Sequence, residues 1–258
     1  MIEIKNVSKS YKLSRKQRKE MGSDFVGDSV LAVNNISFIC NPGRIFGLIG
    51  PNGAGKTSTL RMIGTMLTPS IGTISVNGFD TVTHPQSVKQ SLGFLSGNTG
   101  LYDRLTAEEM VKYYADLHEM SDVDFKKSRD RLFTLLDMEE FSGRRIGKLS
   151  TGMMQKVNIA RTMIHNPEVV VFDEPTSGLD VMASRSIIHL IKECREEGKT
   201  VIFSSHRLAE IQSLCDDLAI IHKGELYFSG TYEEFESQKQ EDTLEDEFIR
   251  LVGEGKHV

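Results

Sequence analysis

Apolar residues along the chain keep two different rhythms. Ile2, Ile4 and Val7 alternate with polar neighbours, and this predicts a half-buried strand over Ile2 to Val7. Asn35 to Cys40 reads as a second strand, and the polar stretch from Leu13 to Ser29, with Gly22 and Gly27, as an inserted loop or short helix. Arg44 to Ile49 is apolar without alternation, as expected of a strand buried on both faces. A glycine-rich turn follows at once, and then Thr57 to Met66 predicts a helix stopped near Pro69. From about Gly97 to Ile164 the period lengthens. Thr106 and Glu109 make a capping box, with Met110, Tyr113, Tyr114 and Leu117 behind it at helical spacing. Phe125, Leu132, Phe133 and Leu136 mark another amphipathic helix. Strands return at Val169 to Phe172, Thr200 to Ser204 and Leu218 to Ile221. The pattern predicts an α/β domain whose strand-rich core is interrupted by a helical insertion.

The length, 258 residues, suits one large domain or a core with a smaller subdomain. Its apolar runs are too short for a bilayer-spanning helix, which needs about 20 residues. The strand-like start, Met1 to Lys5, lacks the apolar block expected of a signal peptide. Cys40, Cys194 and Cys215 are scattered and odd in number, which disfavours a disulfide framework and predicts a reducing compartment. A net charge of −5 disfavours a nucleic-acid partner. Two local biases stand out: a basic cluster (Lys12, Arg15, Lys16, Arg18, Lys19) and an acidic run from Glu233 to Glu247. Both are expected to be solvated surface, although the basic cluster could also approach anionic lipid headgroups. Within the tail, Phe235, Leu244, Phe248 and Leu251 predict a helix over Asp242 to Leu251 that packs on the body.

The chemistry concentrates in two places. Gly50-Pro51-Asn52-Gly53-Ala54-Gly55-Lys56-Thr57 matches G-x-x-x-x-G-K-[ST] between a strand and a helix, with Ser58 next in the helix. Glycines let backbone N–H groups converge on a polyphosphate, the helix N-terminus adds partial positive charge, and Lys56 supplies a full one. Thr57 is placed to offer its hydroxyl to Mg²⁺. A turn that binds nothing is the alternative, but at average glycine usage a chance match has odds on the order of one in a hundred. The second place is Val169-Val170-Val171-Phe172-Asp173-Glu174, where two carboxylates emerge at the C-terminal end of a buried strand, the edge at which open parallel sheets bind ligands. Asp173 is expected to hold Mg²⁺ opposite Thr57, and Glu174 to act as general base on water.

With these residues in hand, the chain resembles the ATP-binding subunits of ABC transporters. Leu149-Ser150-Thr151-Gly152-Met153 resembles the signature L-S-G-G-Q, Ser177-Gly178-Leu179-Asp180 the D-loop, His206 after the strand Val201 to Ser205 the switch histidine, and Tyr11 the aromatic that stacks on adenine. The resemblance spans about residues 2 to 230, and within it the stretches Phe172 to Met182 and Phe203 to His222 look most like bacterial sodium-efflux exporter subunits. It implies a P-loop NTPase (RecA-like) core with an ABC-type antiparallel β subdomain and a helical subdomain inserted at about 97–164, an ATP-binding domain over 1–230, and an acidic C-terminal helical extension over 231–258. It also implies ATP and Mg²⁺ as ligands, and ATP hydrolysis in a homodimer. There Lys56, Thr57, Asp173, Glu174 and His206 of one subunit face Ser150 and Gly152 of another. A separately encoded integral membrane permease at the cytoplasmic face of the cell membrane is the implied partner.

Ser150 and Asp180 could equally serve as helix N-caps, His206 as a surface histidine, and Tyr11 as strand-end packing. Three positions depart from the family pattern: Gly97 stands where a glutamine is usual, Thr151 replaces a glycine and Met153 a glutamine. Ser96 or Asn98 could substitute for the missing amide. Rival readings are a soluble ABC ATPase, such as an iron–sulfur cluster assembly type, and a P-loop kinase, which would need an acceptor.

Overall fold

The computed structural model describes residues 1–14, 16, 18, 27–96 and 100–253. Gly97 and Asn98, and with them any replacement for the usual glutamine, lie outside the described residues, as do Arg15 and Lys19 of the basic cluster.

Two sheets form the strand layers. A four-stranded antiparallel sheet has the order β2-β1-β4-β5, built from β1 (Ile2–Lys12), β2 (Ser29–Cys40), β4 (Ile71–Val76) and β5 (Phe79–Asp80). The six-stranded sheet runs β10-β9-β3-β8-β7-β6, from β3 (Ile45–Ile49), β6 (Leu92–Leu95), β7 (Val169–Asp173), β8 (Thr200–Ser205), β9 (Asp217–His222) and β10 (Glu225–Thr231). Its four pairings from β9 to β6 are parallel, and β10 joins antiparallel at the edge. Both faces of the parallel strands are covered, and this explains why β3, β7 and β8 are buried at every position. Alternate residues point to two apolar clusters. Val169, Val171 and Ile202 join Ile2, Ile4, Val33, Ile74 and Val76 between the sheets. Val170, Phe172, Val201 and Phe203 meet the helical layer on the other face.

That layer contains α3 (Ala107–Leu117), α4 (Asp122–Leu135), α5 (Thr151–Met163) and α6 (Val181–Glu196). It follows α1 (Lys56–Ile63) and α2 (Pro85–Ser91) and precedes α7 (Leu208–Leu214), α8 (Tyr232–Gln238) and α9 (Leu244–Gly253). Met110, Val111, Leu132, Phe133 and Val157 share one apolar cluster with the sheet, so the helical insertion and the strands are packed as a single core. The capping box on α3 is present in both directions: Thr106 Oγ1 accepts from Glu109 N at 3.1 Å, and Glu109 Oε2 from Thr106 N at 2.8 Å.

Several boundaries differ from the sequence reading. β1 continues past Val7 to Lys12 and carries Tyr11, because pairing with β2 resumes after register shifts (Tyr11 opposite Val30). Ser29 belongs to β2 rather than to the preceding loop. Arg44 sits before β3, its guanidinium held by Asp217 at 2.6 Å. α1 stops at Ile63, after which Thr65 turns into the left-handed region (φ 59°). Beyond residue 224 the pattern hid β10 and α8, and Thr231 ends the first and caps the second in a capping box with Glu234. Glu247 corrects the expectation of a solvated acidic run. It is 2% exposed, and its carboxylate takes Arg250 and the N–H groups of Gln240 and Glu241. Phe248, Leu251 and Val252 of the same helix pack on the core. All three cysteines are free; Cys40 and Cys194 are buried and Cys215 is partly so. Burial pushes the Cys194 thiol up to about 12 and raises Cys40 and Cys215 well above the ordinary range.

Candidate functional site

β8 lies between β3 and β7, so the C-terminal ends of these three parallel strands deliver the glycine-rich loop, Asp173-Glu174 and His206 to one edge. The loop needs its glycines for different reasons. Gly55 caps α1 at φ 109°, and a Cβ there would come 2.6 Å from the Ala32 carbonyl oxygen. A Cβ on Gly50 would collide with the Ile221 carbonyl. Gly53 also takes a left-handed φ of 82°, Ala54 N–H donates to Pro51 O at 3.2 Å, and Asn52 completes the turn. No side chain caps the start of α1, and no acidic residue sits in its first turn, so its N–H groups keep their pull on an anion.

Lys56 is 5% exposed and reaches back over the loop, donating to Gly50 O at 2.5 Å and Pro51 O at 3.2 Å, with Glu174 Oε1 at 3.8 Å. Burial lowers its pKa, while Glu174 and Asp173 pull it back up. Thr57 Oγ1 donates to Asp173 Oδ1 at 3.2 Å, and Ser204 Oγ donates to the same oxygen at 2.8 Å. Ser204 Oγ also accepts from Glu174 N at 3.0 Å. Glu174 itself holds a φ of 51°, a region that costs a non-glycine residue on the order of 1–3 kcal/mol and persists only when neighbours enforce it. Its Oε2 lies 3.0 Å from His206 Nδ1. Lys56, Thr57, Asp173, Glu174 and His206 are thus brought together, as their placement in the sequence implied.

The remaining candidates lie on other elements. Ser150 caps α5 by accepting from Met153 N at 3.3 Å, with Gly152 in the first turn. Asp180 caps α6 by accepting from Ala183 N at 2.8 Å. Both therefore act as the N-caps that the sequence left open, a role compatible with a ligand contact. Tyr11 is 36% exposed; its hydroxyl lies 3.1 Å from Ser58 Oγ, and Lys9 Nζ lies 5.4 Å from its ring centre. Sequence reasoning missed Ser204 and Gln155, which help to hold the carboxylate loop. Ser204 was legible in principle, as a hydroxyl at the end of an apolar strand. Gln155 left no signal: its side-chain amide donates to Pro175 O at 2.9 Å, tying α5 to the residue after Glu174.

A cavity of about 400 Å³ is lined by Thr57, Arg61, Asp173 and Glu174 on one side and Thr151 and Gln155 on the other. The donor set fits a magnesium nucleotide. Hydroxyl and carboxylate oxygens at Thr57 and Asp173 suit a hard cation that takes its other ligands from phosphates and water. The left-handed glycines, the ammonium and the uncapped helix suit the phosphates.

Residues 33–177, more than half of the sequence, match the family model described as ABC transporter, and the chain belongs to that family, as an ATP-binding subunit. It is 45% identical over 215 residues to the ABC transporter ATP-binding protein NatA of Bacillus subtilis (strain 168), across 83% of this chain and 87% of that protein. Among solved structures, an ATP-binding subunit of an ABC transporter superposes with a TM-score of 0.83 at 25% identity, covering 97% of this chain and 99% of that one. A dimeric post-hydrolysis state of the ATP-binding cassette MJ0796, bound to ADP and Pi, gives 0.77 at 25% identity, over 90% of this chain and 98% of that one.

Proposed function

We propose that this subunit hydrolyses ATP with Mg²⁺ as a homodimer and drives a separately encoded membrane permease, as an exporter motor at the cytoplasmic face of the cell membrane. The observation that carries the reading is the meeting of Glu174 with His206 and Lys56 beside the Thr57–Asp173 pair. The likeness to NatA and to a cassette seen as a dimer with ADP and Pi supports the rest.

In this mechanism the loop from Gly50 to Thr57, with Ser58, binds the phosphates through backbone N–H groups, and Lys56 neutralises their charge. Thr57 and Asp173 would hold magnesium, whose chemistry would be to neutralise phosphate charge. Lys56 is shared among the Gly50 and Pro51 carbonyls and Glu174. A phosphate in the loop takes over the ammonium, and Glu174 is left to accept a proton from water. With Nδ1 turned to Glu174, His206 keeps Nε2 for the terminal phosphate. Ser150 and Gly152 begin α5, so their end of the helix offers positive charge to the nucleotide of a second copy, while Asp180 fixes the neighbouring helix at the same face.

Glu174→Gln separates binding from chemistry. Turnover is expected to fall about 10²–10⁴-fold, with the variant held as a dimer by Mg-ATP in light scattering. A variant that stays monomeric under saturating Mg-ATP would falsify the dimer. Capture from solubilised membranes tests the permease: recovery only with soluble assembly proteins contradicts a transport role.

A further inference from the structure

We propose that Glu210 is a positioning residue for hydrolysis, one that sets the distance between the Glu174 loop and His206; this rests on the catalytic reading above. Glu210 lies in α7 and is 6% exposed, yet it points a carboxylate at the end of the sheet rather than at solvent. Oε1 accepts from Thr176 Oγ1 at 2.7 Å and pairs with the Arg207 guanidinium at 2.9 Å. Oε2 accepts from Ser205 Oγ at 2.9 Å, and that hydroxyl oxygen in turn accepts from Arg207 N at 3.0 Å. One side chain therefore grips both neighbours of His206 and the residue two places beyond Glu174.

The strands alone do not fix this geometry. β7 and β8 stay in register as far as Asp173 opposite Ser204, where the ladder ends. Glu174 and His206 both lie past that point, and Glu174 departs from it with a left-handed backbone. Beyond the ladder, side chains must set the separation. A carboxylate has about four lone pairs, so it can serve two hydroxyls and a guanidinium at once, and charge-assisted bonds are short and strong. A buried carboxylate would be costly without such full use. The group it positions is sensitive, since a misplacement of about 1 Å can cost on the order of 10²-fold in rate.

The test uses the full chain with Mg-ATP. Glu210→Ala and Thr176→Val, which deletes one hydroxyl at constant volume, are each expected to lower kcat roughly 10- to 100-fold with KM for ATP within about twofold. Glu210→Gln, which keeps one accepting oxygen and can donate to the other hydroxyl, is expected to recover kcat to within about threefold of wild type. In a His206→Ala background, Glu210→Ala should cost less than about a further twofold, because the two act as one unit. A purely structural role would instead multiply the two losses and move KM together with kcat. That pattern, or wild-type kcat in folded Glu210→Ala or Thr176→Val, overturns the assignment. Should Glu210→Ala not fold, Thr176→Val decides. Glu174→Gln, run alongside, keeps the cases apart. If it too turns over at the wild-type rate, the catalytic reading fails and Glu210 with it; if it is inactive while Thr176→Val is normal, only Glu210 is lost.

Discussion

At Tyr11 an aromatic ring stands at the far end of β1, tethered to the third residue of the helix that follows the phosphate loop by its 3.1 Å contact with Ser58. Stacking on a base is worth about 1–3 kcal/mol, so Tyr11→Ala should weaken ATP binding about 5- to 150-fold in calorimetry, while Tyr11→Phe keeps the ring and stays near wild type. Unchanged affinity in the alanine variant would return Tyr11 to strand-end packing. The residues legible in the sequence share a property: each is read from its immediate neighbours, as Lys56 is from the glycines and Asp173 from the apolar run before it. Gln155, Thr176 and Glu210 were illegible because their meaning lies in partners 20 and 34 residues away. No periodicity announces such pairs.

Among the elements, those with a plain rhythm were foreseen: the buried strands of the parallel sheet and the capped helix after Thr106. β10 and α8 escaped because an edge strand with half-buried residues and a helix of seven residues leave too few turns of pattern. The acidic tail misled for another reason, since charge in a sequence reads as exposure unless the partner is known. Arg250, hydrogen-bonded to Glu247 at 2.5 and 3.0 Å, holds that carboxyl at about 2, far below its ordinary value of 4.5. A depressed carboxyl stabilises the fold fully above pH 4.5 and loses that contribution as pH falls towards 2. Limited proteolysis should therefore find α9 released between pH 4.5 and 2, and Glu247→Gln should loosen it already at neutral pH with a flatter dependence on acid. Acid resistance of the wild-type tail equal to that of the variant would contradict this.

For the whole molecule, half a binding site per chain has a kinetic signature. If Ser150 and Gly152 complete the site of a second copy, ATPase activity per chain must depend on how often two chains meet. Specific activity, measured as phosphate release, is expected to rise in proportion to protein concentration when dilute and to level off once dimers predominate. A flat specific activity over a hundredfold dilution would mean that one chain suffices. The sequence could only suggest the pairing through resemblance, because a helix start capped by Ser150 looks the same whether or not a second nucleotide faces it.

The buried thiols carry a practical consequence. Alkylating reagents attack the thiolate, and Cys40, Cys194 and Cys215 are all held far from ionising near neutrality. The natural chain is thus close to a silent background for chemical labelling. A single cysteine introduced at Val181, which is 79% exposed beside Asp180, would report approach and separation of two copies through one fluorophore, with no need to strip the native sulfurs first.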